Sequence, residues 1–196
     1  MELVTIVFAH IDSVKDDFSN LSFLLDEDYE YLKKFIPLET KKERAISQYF
    51  KRKYIGQYYV SEYGKPMSKN TYFNISHSHG LVVIAIAKKE VGIDIELVRE
   101  AEENIRSFIS SEEEYLYIKD NASFYEIWTS KESLTKALGS GINIDIKKIP
   151  ALPINGHKTY FCRDFYTKCF NYKNYKVSIS LNSNEDFEVI EKEEVL

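Results

Sequence analysis

Apolar and polar positions along the chain fall into stretches of period two, which predict strands, and stretches of period three to four, which predict helices. Residues 3–9 (LVTIVFA) open the chain with a strand pattern, and a charged, Tyr-rich region from about 26 to 63 has helical spacing. Residues 73–75 and 81–87 predict two strands flanking a turn at Ser76-His77-Ser78-His79-Gly80. A third strand-like run, 91–97, follows the charged turn Lys88-Lys89-Glu90. Ser110-Ser111-Glu112-Glu113 and Ser123-Phe124-Tyr125-Glu126 both fit the S/T-x-x-E capping box, which predicts a helix after each, the second ending at Gly139. Beyond Pro150 the pattern is strand-like again over 158–165 and 175–181, and the chain closes on an acidic tail, 185–194. This mixed order predicts an α+β fold.

Composition changes the picture in only a few places. With 196 residues, 44% hydrophobic and 29% charged, the chain has room for one domain or two small halves sharing a core. No repeat or low-complexity linker divides it, so the turn at 88–90 is the natural boundary, giving halves 1–90 and 91–196. The longest purely apolar run, 81–87, is far short of a bilayer span, and the N-terminus lacks a basic region and an apolar signal core. The expectation is a soluble cytoplasmic protein with no membrane partner. Cys162 and Cys169 do not have the spacing of a zinc site; they read as free thiols, with a single bridge as the alternative. A net charge of −5 without a polybasic stripe disfavours nucleic acid. The charge is uneven, however: residues 41–53 hold Lys41, Lys42, Arg44, Lys51, Arg52 and Lys53 against Glu43, a net of +5. That stretch is either a phosphate grip or the solvated face of a helix.

Candidate chemistry centres on two later segments. In 91–97, Ile93, Ile95 and Leu97 point one way and Asp94 and Glu96 the other, so both carboxylates share a face. In the helix after Ser123, an apolar stripe runs through Phe124, Ile127, Trp128, Leu134 and Leu138, and Glu132 and Lys136 stand four apart on an adjacent flank. Taken separately, these are the wet side of a half-buried strand and an ordinary i,i+4 surface pair. Taken together, three carboxylates make a hard, all-oxygen ligand set with a lysine placed to neutralise phosphate, which points to Mg²⁺.

Four blocks carry a resemblance: YGKP (63–66), FNISHS (73–78), GIDIE (92–96) and WTSKESLTKALGSG (128–141). In this order and spacing the chain resembles the 4′-phosphopantetheinyl transferases of the surfactin-synthesis (Sfp) type, over roughly residues 37–141. The resemblance implies two similar α+β halves about a pseudo-twofold, with the ligand cleft between them, and a monomer. It implies transfer of the phosphopantetheine arm of coenzyme A to a serine of an apo acyl or peptidyl carrier protein, releasing adenosine 3′,5′-bisphosphate.

By the same resemblance, Asp94, Glu96 and Glu132 hold Mg²⁺, Glu132 is the candidate base for the carrier serine, and Lys136 stabilises charge on the phosphates. Coenzyme A would be bound by Lys41, Arg44, Arg52, Lys65, Ser76 and His77 along with Lys136, and the carrier would be met around residues 108–117. His10, His79 and His157 are expected to be structural or at the surface. Two rival readings of the same residues are a catalytically silent binder of coenzyme A or a carrier protein, and a Mg²⁺-dependent pyrophosphate hydrolase.

Overall fold

β1 (Glu2–His10) is a strand because its apolar side chains serve two layers at once, as period-two geometry requires. Val4, Ile6 and Phe8 enter one core, while Val7 and Ala9 enter another. The computed structural model describes residues 1–62, 64–139 and 145–196. After β1 come α1 (Asp26–Leu32) and α2 (Leu38–Phe50), and α2 runs on into a π-helical turn, Lys51–Ile55. Two short strands, β2 (Tyr59–Val60) and β3 (Pro66–Met67), lead to the hairpin of β4 (Tyr72–Ser78) and β5 (Leu81–Ala87). The later part holds β6 (Val91–Leu97), α3 (Glu103–Ile109), α4 (Glu112–Tyr117), α5 (Asn121–Leu138), β7 (Gly156–Tyr160), β8 (Arg163–Tyr172), β9 (Tyr175–Leu181) and β10 (Phe187–Glu193).

The strands make two four-stranded sheets, ordered β10-β1-β5-β4 and β6-β9-β8-β7, with β2 and β3 pairing apart from both. One face of each sheet lies in a shared core, where Val4, Ile6, Phe8, Val83 and Ala85 meet Ile93, Ile95, Val177 and Ile179. The outer face of the first sheet packs Val7, Val82 and Ile84 against Ala45, Ile46 and Phe50 of α2. The second sheet places Phe165 against Leu134 and Ala137 of α5. With both faces covered, β5 is apolar throughout, which explains the seven-residue run. The mixed α+β expectation holds, and each sheet is built from a strand, a helix and an antiparallel hairpin whose second strand pairs with the first.

The structure departs from the sequence reading at several points. Ser76, His77 and Ser78 belong to β4, and only His79 and Gly80 turn. The α4 box is Ser111 with Glu114, one residue later than predicted; α5 is capped by Asp120 with Ser123, so Ser123 lies inside the helix rather than before it. Residues 158–165 are two strands joined at Phe161 and Cys162. The expected acidic tail is largely β10, which pairs in parallel with β1 because Phe187 and Val189 have core to fill. β10 thereby carries residues beyond 181 back to the first sheet, across the boundary drawn at 90. Both cysteines are free. Among the described residues, no helix is long and apolar enough to cross a membrane.

The second sheet also buries charge. Lys131 is fully buried but has Glu114 at 2.7 Å. Lys158, 3% exposed, donates only to Ser130 Oγ at 3.3 Å and has no carboxylate ion-pair partner among the described residues. Burial pushes its amine down to about 7 from an ordinary 10.5, with Cys169 and Glu114 opposing the shift. Because the folded value lies below the unfolded one, the unfolded chain binds more protons between those limits, and the native state gains stability as pH rises through them. Lys158→Met is therefore expected to be more stable than wild type near neutrality, with an advantage that shrinks towards pH 10. Melting temperatures of both proteins across that range test this, and a pH-independent difference contradicts it.

Candidate active site

The polar face of β6 is roofed by α5, and Gly92 is what lets the helix come so close. A Cβ built there falls 2.0 Å from the carbonyl oxygen of Ser133 and 2.4 Å from the amide nitrogen of Ala137. α5 ends cleanly one turn beyond, with Gly139 in the left-handed conformation that a glycine adopts without strain. On the other side β6 runs beside β4 through side chains: Asn74 Oδ1 and Ser78 Oγ accept from the Ile93 and Leu97 N–H groups at 3.0 and 3.3 Å. Asn74, Ser76 and Ser78 alternate along β4 and so reach β6 from one face.

Two of those serines bind the carboxylates. Ser76 Oγ donates to Asp94 Oδ1 at 2.9 Å, and Lys136 Nζ reaches the same oxygen at 2.6 Å and Ser76 Oγ at 2.9 Å. Asp94 is 4% exposed, and its Oδ2 is buried without a protein partner. Glu96 accepts from Ser78 Oγ at 2.7 Å and from the indole N–H of Trp128 at 3.4 Å. Burial first, then the charge of Asp94, holds the Glu96 carboxyl above its ordinary value, against Ser78, Trp128 and Lys136. Glu132 is raised in the same way, by burial, Asp94 and Glu96, with Lys136 opposing.

Asp94, Glu96, Glu132 and Lys136 thus form one electrostatic cluster: three carboxylates sharing one ammonium. Among the described residues no three His, Cys, Asp or Glu side chains stand close enough together to hold a metal ion, and Lys136 occupies one oxygen of Asp94. The orphaned Asp94 Oδ2 and the elevation of both glutamates by the charge of Asp94, after burial, nevertheless mark a deficit of positive charge. An all-oxygen donor set with that deficit fits a hard divalent cation.

A cleft of about 620 Å³ runs between Asn74 and His77 of β4 and the helix face carrying Arg44, Lys51 and Arg52, with Tyr58 on its wall. His77 Nδ1 lies 3.2 Å from Glu43 Oε2. Burial favours a higher pKa for Glu43, but hydrogen bonds from His77 and the Gly80 N–H outweigh it and hold the carboxyl below its ordinary value. Lys41 is half-buried one turn before Arg44 on the same helix. Arg52 lines the cleft with its guanidinium held by Asp28 at 3.0 Å and by Glu27.

Other expected residues sit differently. Lys65 does not line that cleft: its Nζ donates to the carbonyls of Lys136 and Ala137 at 2.6 and 3.3 Å, capping the last turn of α5. Burial pushes its amine down to about 8. It borders a smaller cavity of about 250 Å³ with Tyr72, Glu90 and Gly139. Ser76 faces the carboxylates, whereas its neighbour His77 faces the cationic cleft. Tyr63 and Gly141 of the sequence blocks lie outside the described residues. Sequence reasoning assigned no role to Ser78 or to the indole N–H of Trp128. The alternation Asn74, Ser76, Ser78 was the available signal for the first.

Residues 90–187 match the sequence profile of the 4′-phosphopantetheinyl transferase superfamily, half of the chain and the half that supplies every carboxylate of the cluster. The chain belongs to that superfamily. Among curated relatives, the 4′-phosphopantetheinyl transferase Gsp of Aneurinibacillus migulanus is 44% identical over 93 residues, covering 44% of this chain and 39% of that protein. A 4′-phosphopantetheinyl transferase of Bacillus subtilis is 32% identical over 121 residues, 57% of this chain and 54% of its own length. The match therefore spans about half or less of these two relatives. The 4′-phosphopantetheinyl transferase Sfp of Bacillus subtilis strain 168 is 28% identical over 177 residues, 80% of this chain and 79% of that protein.

Proposed function

We propose that this superfamily member is a phosphopantetheinyl transferase of the Sfp type, moving the 4′-phosphopantetheine group of coenzyme A to a serine of an apo acyl or peptidyl carrier protein. The observation that carries the reading is that one strand, β4, serves both features: Ser76 and Ser78 bind the carboxylates of the Asp94, Glu96, Glu132 and Lys136 cluster, and Asn74 and His77 line the cationic cleft. A substrate with a phosphate monoester at one end and a diphosphate in its middle suits that arrangement. The repeated strand, helix and hairpin order supports two halves about a pseudo-twofold, residues 1–90 and 91–196, with β10 exchanged onto the first sheet. The protein is taken to act in the cytoplasm as a monomer.

In this reading the carrier serine Oγ attacks the phosphorus that bears the pantetheine. The bond from that phosphorus to the bridging diphosphate oxygen breaks, and adenosine 3′,5′-bisphosphate departs with the bond's electron pair. Glu132 accepts the serine proton; the elevation of its carboxyl by burial and Asp94 favours that role. Lys136, held between Asp94 and Ser76, presents its ammonium to the charge that builds on the 5′-phosphate of the departing adenosine 3′,5′-bisphosphate. Asp94, Glu96 and Glu132 would hold Mg²⁺, which supplies charge neutralisation at the diphosphate when bound. Lys41, Arg44 and His77 bind the nucleotide end. Lys65 holds the end of α5 in place and thereby the position of Lys136, and Ser76 orients Asp94.

Quantifying the nucleotide product tests the reading. Adenosine 3′,5′-bisphosphate is expected to appear from coenzyme A only when an apo carrier protein and Mg²⁺ are both present. Release without a carrier would make the protein a diphosphate hydrolase instead. Binding of coenzyme A with no release in any mixture would make it a silent relative.

A further inference from the structure

The two-residue turn that joins β4 to β5 is pinned from three other parts of the chain. His79 and Gly80 have φ of 45° and 83°, both positive as in the type I′ turns that close tight hairpins. Glycine takes that conformation freely. Histidine takes it at a steric cost, and residues held in this way concentrate at functional sites. The Tyr175 hydroxyl of β9 donates to the His79 carbonyl at 2.9 Å. The Gly80 N–H donates to Glu43 Oε1 of α2 at 2.9 Å, and the Ile11 N–H, just beyond β1, donates to the Gly80 carbonyl at 2.9 Å.

What the pinned turn presents is the His79 ring. Its Nδ1 lies 3.0 Å from Ser78 Oγ, the buried hydroxyl that donates to Glu96 Oε2 at 2.7 Å and accepts from the Leu97 N–H at 3.3 Å. A hydroxyl has one proton and two lone pairs. With Glu96 ionised, as a cation ligand is, the proton goes to Oε2, and the Leu97 N–H takes one lone pair. Only the second lone pair is open to His79, so Nδ1 is the donor. Turning the hydroxyl proton to Nδ1 instead would leave two oxygens facing each other at 2.7 Å with no hydrogen between them. The Ser78 bond is also the shorter of the two that orient the Glu96 carboxylate, the Trp128 indole standing off at 3.4 Å. His79 itself is exposed, at the open end of a relay that runs from Nδ1 through Ser78 to Glu96.

We propose that His79 is a positioning residue for the transfer reaction: by donating from Nδ1 to Ser78 it fixes the hydroxyl, and through it the Glu96 carboxylate, in the orientation that receives the divalent cation. The inference rests on the coenzyme A reading, and His79 itself touches neither substrate nor cation. Groups hydrogen-bonded behind a metal ligand hold that ligand in place, and losing one lowers metal affinity or activity by about 10- to 100-fold.

Mn²⁺ binding in the presence of coenzyme A, read from the electron paramagnetic resonance signal of the free ion, tests this alongside transfer to a carrier protein at varied Mg²⁺. Glycine and asparagine both suit a type I′ turn, and the asparagine side-chain N–H can stand where Nδ1–H does. The two variants therefore differ in the donor and not in the turn. His79→Gly is expected to bind Mn²⁺ about tenfold more weakly and to need about tenfold more Mg²⁺ for half-maximal turnover, while melting as wild type does. His79→Asn is expected to restore both, because it keeps a donor. Adding His79→Gly to Ser78→Ala is expected to weaken Mn²⁺ binding no further than Ser78→Ala alone, because the effect passes through the hydroxyl. Wild-type Mn²⁺ affinity in His79→Gly, or an equal loss in the Gly and Asn variants, would overturn the assignment; transfer by wild type in the same assay would leave the coenzyme A reading intact. Absence of transfer by wild type to any carrier would overturn both.

Discussion

Glu132→Gln is expected to abolish transfer while leaving the protein folded. The side chain is half-buried on the flank of α5 that faces β6, and its carboxyl is elevated by burial and by Asp94. A carboxylate placed among like charges costs the fold stability, so an isosteric amide should leave stability within about 0.5 kcal/mol of wild type or raise it slightly. The reaction loses a proton acceptor and one oxygen of the cation-binding set. Loss of general base catalysis alone slows such steps by about 10²- to 10⁴-fold. Turnover with a carrier protein, measured alongside thermal melting, separates the two effects. Wild-type turnover in this variant would remove Glu132 from the chemistry.

Gly92→Ala is expected to do the opposite, damaging fold and activity together through a single methyl group. The atoms 2.0 and 2.4 Å from the new Cβ belong to the backbone of α5, so no side-chain rotation relieves the clash. The helix must lift from β6 or the strand must bend. Overpacking of a core in this way costs about 1–3 kcal/mol and sometimes more, and a backbone-to-backbone clash belongs at the upper end. Displacing α5 also carries Lys136 away from Asp94, a contact now at 2.6 Å. Urea unfolding is expected to show a midpoint well below wild type, and residual turnover to fall even where the variant remains folded. Unchanged stability and turnover would mean that α5 does not sit on β6 as described.

The sequence reached the carboxylates for a physical reason. Strand alternation places Asp94 and Glu96 on one face whatever the tertiary context, and a four-residue helical interval does the same for Glu132 and Lys136. Bringing the two pairs together depended on Gly92, whose importance lies in what packs against it, and no local pattern reports that. The strand character of Ser76-His77-Ser78 was hidden because polar residues beside a glycine resemble a turn; Ser76 and Ser78 find their partners in the carboxylates of β6 and His77 in Glu43 of α2. β10 was hidden for a similar reason, its acidic residues masking the alternation of Phe187 and Val189 into the core. The basic stretch was legible as charge, but which cations stay free was not. That depended on the π turn and on Asp28, Glu27 and Glu194, none of which helical periodicity brings beside 51–53.

The central claim is covalent transfer of phosphopantetheine, and the mass of the acceptor tests it most directly. Apo carrier proteins of the fatty-acid, polyketide and nonribosomal-peptide kinds, incubated with this protein, coenzyme A and Mg²⁺, should yield at least one that gains about 340 Da, the mass of the transferred cofactor arm. The gain should vanish when EDTA is added. Unchanged mass in every carrier, with coenzyme A demonstrably bound, would contradict it.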